Sequence, residues 1–197
     1  MISTMLDDTK EVKPDQPSGQ MDWLFFKSRS VIITGEINDK VASRAVTHLL
    51  ALAEESDAPI NVYISSPGGH VESGDMVHDM IRFISPKVRT IGSGWVSSAG
   101  ALIFVGAARE NRYCLPNTRF LLHQPSGGIG GSASDMAIQA DQIRQMRERF
   151  DRLFAAATGQ TPERIAADTA RDFWMTTDQA LAYGLVGAVI SSMAELR

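Results

Sequence analysis

The sequence has very little of what several large classes of function require. Cys114 is the single cysteine among 197 residues, so no internal disulfide can form and no oxidising compartment is implied. The 19 lysines and arginines are outnumbered by 23 acidic residues, and the basic residues form no stripe that would follow a phosphate backbone. These absences argue against a secreted disulfide scaffold and against a nucleic-acid-binding protein.

Long apolar segments and ligand motifs are also missing. The longest near-apolar stretch, residues 99–108, is too short to span a bilayer, and the N-terminus lacks the pattern of a secretory signal. No Cys, His and carboxylate spacing suggests a metal site, and there is no Walker lysine and no G-x-G-x-x-G loop. We therefore expect a cytoplasmic protein with no metal, no nucleic acid and no membrane among its partners.

The remaining composition is ordinary for one globular domain, with 44% hydrophobic and 21% charged residues. Residues 1–22 are polar and contain Pro14, Pro17 and Gly19, which predicts a flexible N-terminal arm or a removable leader. Residues 23–197 are predicted to form a single domain.

Strand and helix patterns alternate through that domain. Strands are predicted over residues 30–37, 59–66 and 87–94, with two short ones in ENRYCLP and TRFLLHQ. Helices are predicted over residues 39–55, 71–84, 98–108, 133–158 and 175–186. This alternation is typical of a layered α/β fold.

The stretch GWVSSAG contains two adjacent serines at the start of an apolar segment. Ser98 could act as a nucleophile there, with the next amide, that of Ala99, facing a developing oxyanion. The simpler interpretation is that Ser97 or Ser98 only caps the helix. The G-x-S-x-G pattern fits neither serine, so the nucleophile elbow of α/β-hydrolases is absent.

Three further features lie at the ends of predicted strands. In α/β folds, functional groups are usually found at such strand ends. His123 can serve as a general base, or it can be a core histidine bonded to backbone. Asp172 has bulky apolar neighbours in sequence and would need a partner such as Arg171 or an imidazole. Gly68 and Gly69 can present free amides to a ligand, or can simply form a turn.

The other titratable side chains are weaker candidates. His48 and His78 fall within amphipathic helices, so we expect both to be partly exposed. Cys114 has no base nearby in the sequence and is interpreted as a small buried apolar residue.

Four short motifs occur in order along the chain: SPGG at 66–69, GWVSSAG at 94–100, HQP at 123–125 and RDFWMTTDQALAYGLV at 171–186. In this order and spacing they resemble the proteolytic subunits of the Clp protease, over roughly residues 24–192. The resemblance implies a ClpP/crotonase-like layered fold of repeated β-β-α units. It also implies a protruding handle, a strand plus a long helix, at about residues 124–158.

The resemblance assigns chemistry to individual residues. It implies a serine endopeptidase in which Ser98 is the nucleophile, His123 the general base and Asp172 the acid that orients the imidazole. The backbone amides of Gly69 and Ala99 would form the oxyanion hole. Further residues are expected to line an extended substrate: Gly68, His70, Gln124, Pro125, Ser126, Gly127 and Gly128.

The resemblance also implies an assembly and its partners. Members of this family form heptameric rings that stack as a tetradecamer and receive unfolded polypeptides from a hexameric AAA+ unfoldase of the Clp type. That partner hydrolyses the ATP, so the chain itself needs no cofactor. Two departures stand out: residues 1–22 lack a recognisable axial-loop sequence, and Ala170 occupies a position that is usually acidic and contributes to pairing between rings.

Two alternatives stay open. The chain could be a regulatory ring subunit that assembles with an active paralogue, although the presence of all three triad residues argues against an inert subunit. It could also be a crotonase-type acyl-CoA enzyme, which shares the general fold and an oxyanion hole. Crotonases are usually longer and rely on carboxylates, so we rank this alternative last.

Overall fold

The chain alternates strands and helices around one mainly parallel sheet. The computed structural model describes residues 17–125, 128 and 130–196. The strands in these residues are β1 (Ser30–Thr34), β2 (Ile60–Ser66), β3 (Val88–Ser97), β4 (Arg112–Cys114), β5 (Arg119–Leu122), β6 (Phe173–Met175) and β7 (Ala188–Val189). The helices are α1 (Pro17–Lys27), α2 (Asp39–Glu55), α3 (Val71–Phe83), α4 (Ala99–Phe104), α5 (Ala133–Thr158), α6 (Pro162–Asp168) and α7 (Thr177–Tyr183).

The main sheet has the strand order β1-β2-β3-β4-β7, and every neighbouring pair in it is parallel. Parallel neighbours need long crossover connections, which α2, α3 and α4 supply between successive strands. The inward side chains of β2, Ile60, Val62 and Ile64, are almost completely buried in the core that these helices cover. The predicted α/β fold class is therefore confirmed.

Strand β3 changes partner along its length. Residues 90–92 pair with β4, whereas residues 95–97 pair with β5. Gly94 lies between the two paired segments with φ +65°, a left-handed conformation that glycine adopts without strain. This turn carries the end of β3 away from β4 and towards β5, which in turn pairs antiparallel with β6.

The long helix α5 has the bounds that the sequence predicts. Ser132 and Asp135 form a capping box at its start, and Gly159 closes it in a left-handed conformation with φ +78°. The strand expected at the start of the handle falls partly on residues 126, 127 and 129, which lie outside the described residues. Helix α1 crosses the expected boundary at residues 22 and 23, and the division into arm and domain stays a prediction.

Several local predictions differ from the structure. Helix α4 ends at Phe104 rather than at residue 108, because the amide of Gly106 turns back to the carbonyl of Ile103. His78 is only 6% exposed, so the expectation of partial exposure is wrong for it, while His48 is half-buried. Cys114 is fully buried as expected, and burial raises its pKa to about 12.

No helix in the described part of the chain is both long and apolar enough to cross a membrane.

Arg112 joins the C-terminal ends of two helical segments inside the protein. Its Nε donates to the carbonyl of Ala107 at 2.8 Å, and Nη1 donates to the carbonyl of Ala157, in the last turn of α5, at 2.7 Å. Nη2 donates to the carbonyl of Val105, which follows α4, at 3.3 Å. Burial lowers the pKa of Arg112 to about 10, with the charge of Arg109 adding to the effect, so the guanidinium is still charged at neutral pH.

Replacing this side chain tests its contribution to stability. Arg112→Met leaves three carbonyls without their donor, and we expect the free energy of unfolding to fall by about 3 kcal/mol. The measurement is urea unfolding at a fixed protein concentration. The control is Arg164→Met, which removes an exposed pair with Asp168 and should cost less than about 1 kcal/mol. Equal losses in the two variants would contradict the assigned role of Arg112.

Candidate active site

Ser98 is held in a strained backbone conformation between β3 and α4. Its φ of 52° and ψ of −120° lie in a region that serine rarely adopts, and only Arg29 shares a positive φ among the described non-glycine residues. The Ser98 amide donates to the carbonyl of Leu121 at 2.9 Å, and its carbonyl accepts from the amide of Leu102 at 3.0 Å. Bonds to β5 and to α4 therefore fix the strained residue on both sides.

Gly68 lies so close to Ser98 that no side chain fits between them. A Cβ on Gly68 would stand 2.6 Å from the Cβ of Ser98 and 3.2 Å from its Oγ. Gly68 and Gly69 have φ of +102° and +146°. Their loop is fixed to Ile37, whose amide donates to the carbonyl of Gly68 and whose carbonyl accepts from the amide of His70, both at 2.8 Å. The loop is thereby held against the serine.

Two backbone amides and one hydroxyl at this junction have no protein partner. Within residues 17–125, 128 and 130–196, neither the Gly69 amide nor the Ala99 amide donates a hydrogen bond to another residue. Ala99 is the first residue of α4, where amides have no partner inside the helix. The hydroxyl of Ser98 also has no hydrogen bond to that part of the chain. These donors are free for a ligand.

His123 follows β5 directly and shares a pocket with Ser98. Its Nδ1 lies 2.9 Å from the carbonyl oxygen of Gln124, which can only accept, so Nδ1 carries a proton and, in the neutral imidazole, Nε2 carries the lone pair. Both residues line a small cavity of about 10 Å³, which has room for about one water molecule. Its lining residues are Val71, Ser98, Ala99, Leu102, His123, Pro125 and Phe150.

Asp172 lies across from His123 but is not bonded to it. The β5–β6 register pairs Leu122 with Phe173, and continuing it by one residue places His123 opposite Asp172. In the residues that the structure describes, no hydrogen bond or ion pair joins Asp172 to His123 or to Arg171. Asp172 is exposed, so water can solvate its carboxylate. Its role as the acid that orients the imidazole stays a prediction.

Gln124 connects the histidine to the segment that precedes Asp172. Its amide donates to the carbonyl of Thr169 at 2.9 Å, and its side-chain Nε2 donates to the carbonyl of Ala170 at 3.0 Å. The carbonyl of Gln124 accepts from His123 at the same time. A movement of residues 169–172 would therefore shift Gln124 and, through it, the hydrogen bond that holds the His123 imidazole.

The other expected substrate-lining residues are only partly described. His70 is exposed, and its Nδ1 donates to the Oγ of Ser73 at 2.9 Å, while Ser73 donates to Asp39 at 2.7 Å. Gly128 is exposed, whereas Ser126 and Gly127 lie outside the described residues. No group of three or more His, Cys, Asp or Glu side chains in the described ranges is arranged to hold a metal ion.

Sequence reasoning missed the apolar wall of the pocket. Val71, Leu102 and Phe150 come from α3, α4 and α5, three helices that are distant in the sequence. Each sits at a position whose helical spacing also fits ordinary core packing, so no local signal distinguished them. Their role is visible only once the three helices are brought together.

Comparison with known proteins shows the same fold and sequence pattern. The Clp protease family model matches residues 18–193. An ATP-dependent Clp protease proteolytic subunit from Paracoccus denitrificans is 68% identical over 167 residues, 85% of this chain and 84% of that protein. Proteolytic subunit 3 from Rhizobium meliloti is 54% identical over 191 residues, 96% of this chain and 98% of that protein.

A solved structure of a related protein has the same fold. ClpP1 from Listeria monocytogenes superposes with a TM-score of 0.82 at 45% sequence identity, covering 90% of this chain and 99% of that one. The predicted resemblance is confirmed. This chain belongs to the Clp protease family and is a serine peptidase of the proteolytic-subunit type. That membership favours peptide-bond hydrolysis over the crotonase-type alternative.

The contact between Gly68 and Ser98 can be tested by adding one methyl group. In Gly68→Ala the new Cβ forces Ser98 to shift, and misplacing a reacting group by about 1 Å can cost about 100-fold in rate. We expect kcat/KM for a fluorogenic peptide to fall by at least that factor.

Gly35→Ala is the matched control. Gly35 also has a positive φ, +76°, but no atom lies within 4 Å of the position of its Cβ. This variant has the same kind of backbone strain without the clash, so its kcat/KM should stay within about twofold of wild type. Equal losses in both variants would show that strain, and not contact with Ser98, decides the rate.

Proposed function

We propose that the chain cleaves polypeptides with Ser98 as nucleophile, His123 as general base and Asp172 as orienting acid. One observation carries the proposal: a strained serine with a free hydroxyl shares a pocket with an imidazole whose Nε2 lone pair is available. Neither the strained serine nor the histidine, taken alone, distinguishes a catalytic role from a purely structural one. Together they match the arrangement of a nucleophile and its base.

In the first half of the reaction the Nε2 of His123 takes the proton from Ser98 as Oγ attacks the scissile carbonyl carbon. The carbonyl oxygen becomes an oxyanion, which the amides of Gly69 and Ala99 stabilise by hydrogen bonds. The carbon–nitrogen bond then breaks, and Nε2 returns its proton to the leaving amine. Ser98 is left as an acyl ester.

In the second half His123 takes a proton from water, whose oxygen attacks the ester carbon. The carboxyl product leaves and Oγ regains its proton from Nε2. Each step needs Nδ1 to keep its proton, and the carbonyl of Gln124 provides that acceptor in the structure.

The proposed role of Asp172 requires a local rearrangement. A carboxylate stabilises an imidazolium better than a neutral carbonyl does, because the hydrogen bond is charge-assisted. The β5–β6 register supports the role, since Asp172 lies across from His123 and is exposed. We propose that contact with another subunit shifts residues 169–172 and moves the Nδ1 hydrogen bond from Gln124 to Asp172.

We further propose that the chain forms heptameric rings that stack as a tetradecamer. The protein would act in the cytoplasm on unfolded polypeptides delivered by a hexameric AAA+ unfoldase, which hydrolyses the ATP. The relatives named as subunits of an ATP-dependent protease support this partnership. Exposed apolar side chains on α1, including Trp23 and Leu24, support self-assembly, because such patches mark contact surfaces.

A mixed ring is a second candidate. Several relatives are numbered as proteolytic subunits 2 and 3, which favours organisms with more than one such chain. In a mixed ring this chain would contribute its own site and would also support that of a paralogue. Purified rings of this chain alone, if inactive until a paralogue is added, would establish this second candidate.

Replacing each of the two adjacent serines tests the assignment of the nucleophile. Ser98→Ala should reduce peptide hydrolysis by at least about 10,000-fold while assembly is retained. Ser97→Ala is the control, because the Ser97 side chain is buried and its Oγ has no partner in the described residues, so its loss should be tolerated. Retained activity in Ser98→Ala would refute the assignment.

Restoring an acidic residue at position 170 tests the contact between rings. Ala170 is exposed next to Arg171, so Ala170→Glu adds a charge where an ion pair across the ring contact can form. We expect the double ring to persist to higher salt in sedimentation velocity runs. Ala170→Gln is the neutral control of the same size, and identical profiles for both variants would contradict the prediction.

A further inference from the structure

The long helix α5 is exposed at its start and becomes buried towards its end. Residues 131–140 are exposed, and the first buried side chain of the helix is Phe150. Arg149 is the residue immediately before Phe150. Its Nη2 donates to the carboxylate of Asp75 on α3, and this is the one ion pair in the described residues that joins α5 to another element.

The Asp75–Arg149 pair is partly shielded from water. The side chain of Asp75 is 15% exposed and that of Arg149 is 47% exposed. The hydrogen bond to Asp75 raises the pKa of Arg149, and the nearby charges of Asp79 and Glu72 add to the effect. Arg149 is therefore firmly cationic and faces several carboxylates of the same helix.

Phe150 lines two small cavities. One, of about 10 Å³, is also lined by Ser98 and His123, and the other, of about 10 Å³ as well, is also lined by Asp75 and Arg149. Both cavities share the walls Val71, Leu102 and Phe150. The ring of Phe150 packs on Phe154 with centroids 4.3 Å apart, which restricts its orientation.

The pair and the pocket walls are mechanically connected. Val71 and Asp75 are four residues apart on α3, so they lie on the same face of that helix, one turn from each other. Arg149 and Phe150 are adjacent on α5. The ion pair from Asp75 to Arg149 therefore fixes the distance between Val71 and Phe150, the two side chains that line the pocket from α3 and α5.

We propose that the Asp75–Arg149 pair is a positioning device that holds Phe150 against the Ser98 pocket and so restricts which substrate side chain fits there. This inference rests on the proposed peptidase function. With Phe150 in place, the pocket accepts small apolar side chains on the acyl side of the scissile bond. Without the pair, α5 can move away from α3, the two cavities merge, and larger side chains enter.

The test compares two fluorogenic peptides that differ only in alanine or phenylalanine on the acyl side of the cleaved bond. Its readout is the ratio of kcat/KM for the phenylalanine peptide to that for the alanine peptide. The ratio does not depend on the amount of active enzyme, so partial loss of assembly cannot imitate an effect. Wild type should prefer alanine.

Asp75→Asn and Arg149→Met should each raise this ratio by about fivefold, which is within the range over which contacting residues couple. The ratio for the double variant should be no higher than the ratio for either single variant, because both substitutions remove the same ion pair. Exchanging the charges with Asp75→Arg and Arg149→Asp should return the ratio towards wild type.

Arg144→Met is the matched control. It removes pairs with Asp141 and Glu148 on the exposed part of the same helix, and it should leave the ratio unchanged. An unchanged ratio in Asp75→Asn and Arg149→Met, with wild type active, would overturn the positioning role and leave the peptidase proposal standing. If wild type cleaves neither peptide, whether alone or in mixed rings with a paralogue whose own nucleophile is replaced by alanine, the proposed function itself is overturned, and the positioning role with it.

Discussion

The conformation of Ser98 is the constraint on which the candidate site depends. A serine with positive φ is strained, and it persists only where surrounding bonds determine the backbone. Here those bonds come from Leu121 on β5 and Leu102 on α4. The strain is thus maintained by tertiary structure, and it is maintained at the residue that the family resemblance assigns to the nucleophile.

Several other features of the fold follow from that constraint. Strand β3 has to leave β4 and join β5, and the left-handed Gly94 allows this change of partner. Gly68 has to lack a side chain because Ser98 occupies the space, and its loop is fixed in turn to Ile37. The free amides of Gly69 and Ala99 arise at the two sides of this contact. One strained residue is therefore supported by three separate segments of the chain.

Sequence reasoning predicted the features that are encoded locally. Helix α2 and helix α5 were predicted with their observed bounds because their periodicity and caps are strong. Ser98 and His123 were singled out by position at strand ends and by their motifs, and the structure brings them into one pocket. Strands β6 and β7 were missed because three and two residues carry no pattern, and only pairing with β5 and β4 makes them strands.

Features that depend on packing between distant segments could not be predicted. Burial of His78 and exposure of Asp172 are set by neighbours from other elements, whereas their sequence contexts suggested the reverse. The bond from His123 to Gln124 depends on a turn after β5 that no motif specifies. The Asp75–Arg149 pair joins residues 74 positions apart, and neither context predicts a partner.

The most direct test of the central claim, that Ser98 is an activated nucleophile, is labelling of the purified protein with a fluorophosphonate and mapping of the modified peptide by mass spectrometry. We predict a single label on Ser98, which is lost when His123 is replaced by alanine, because Nε2 activates the hydroxyl. A label on another serine, or an unmodified Ser98 in assembled rings supplied with their unfoldase, would contradict the claim.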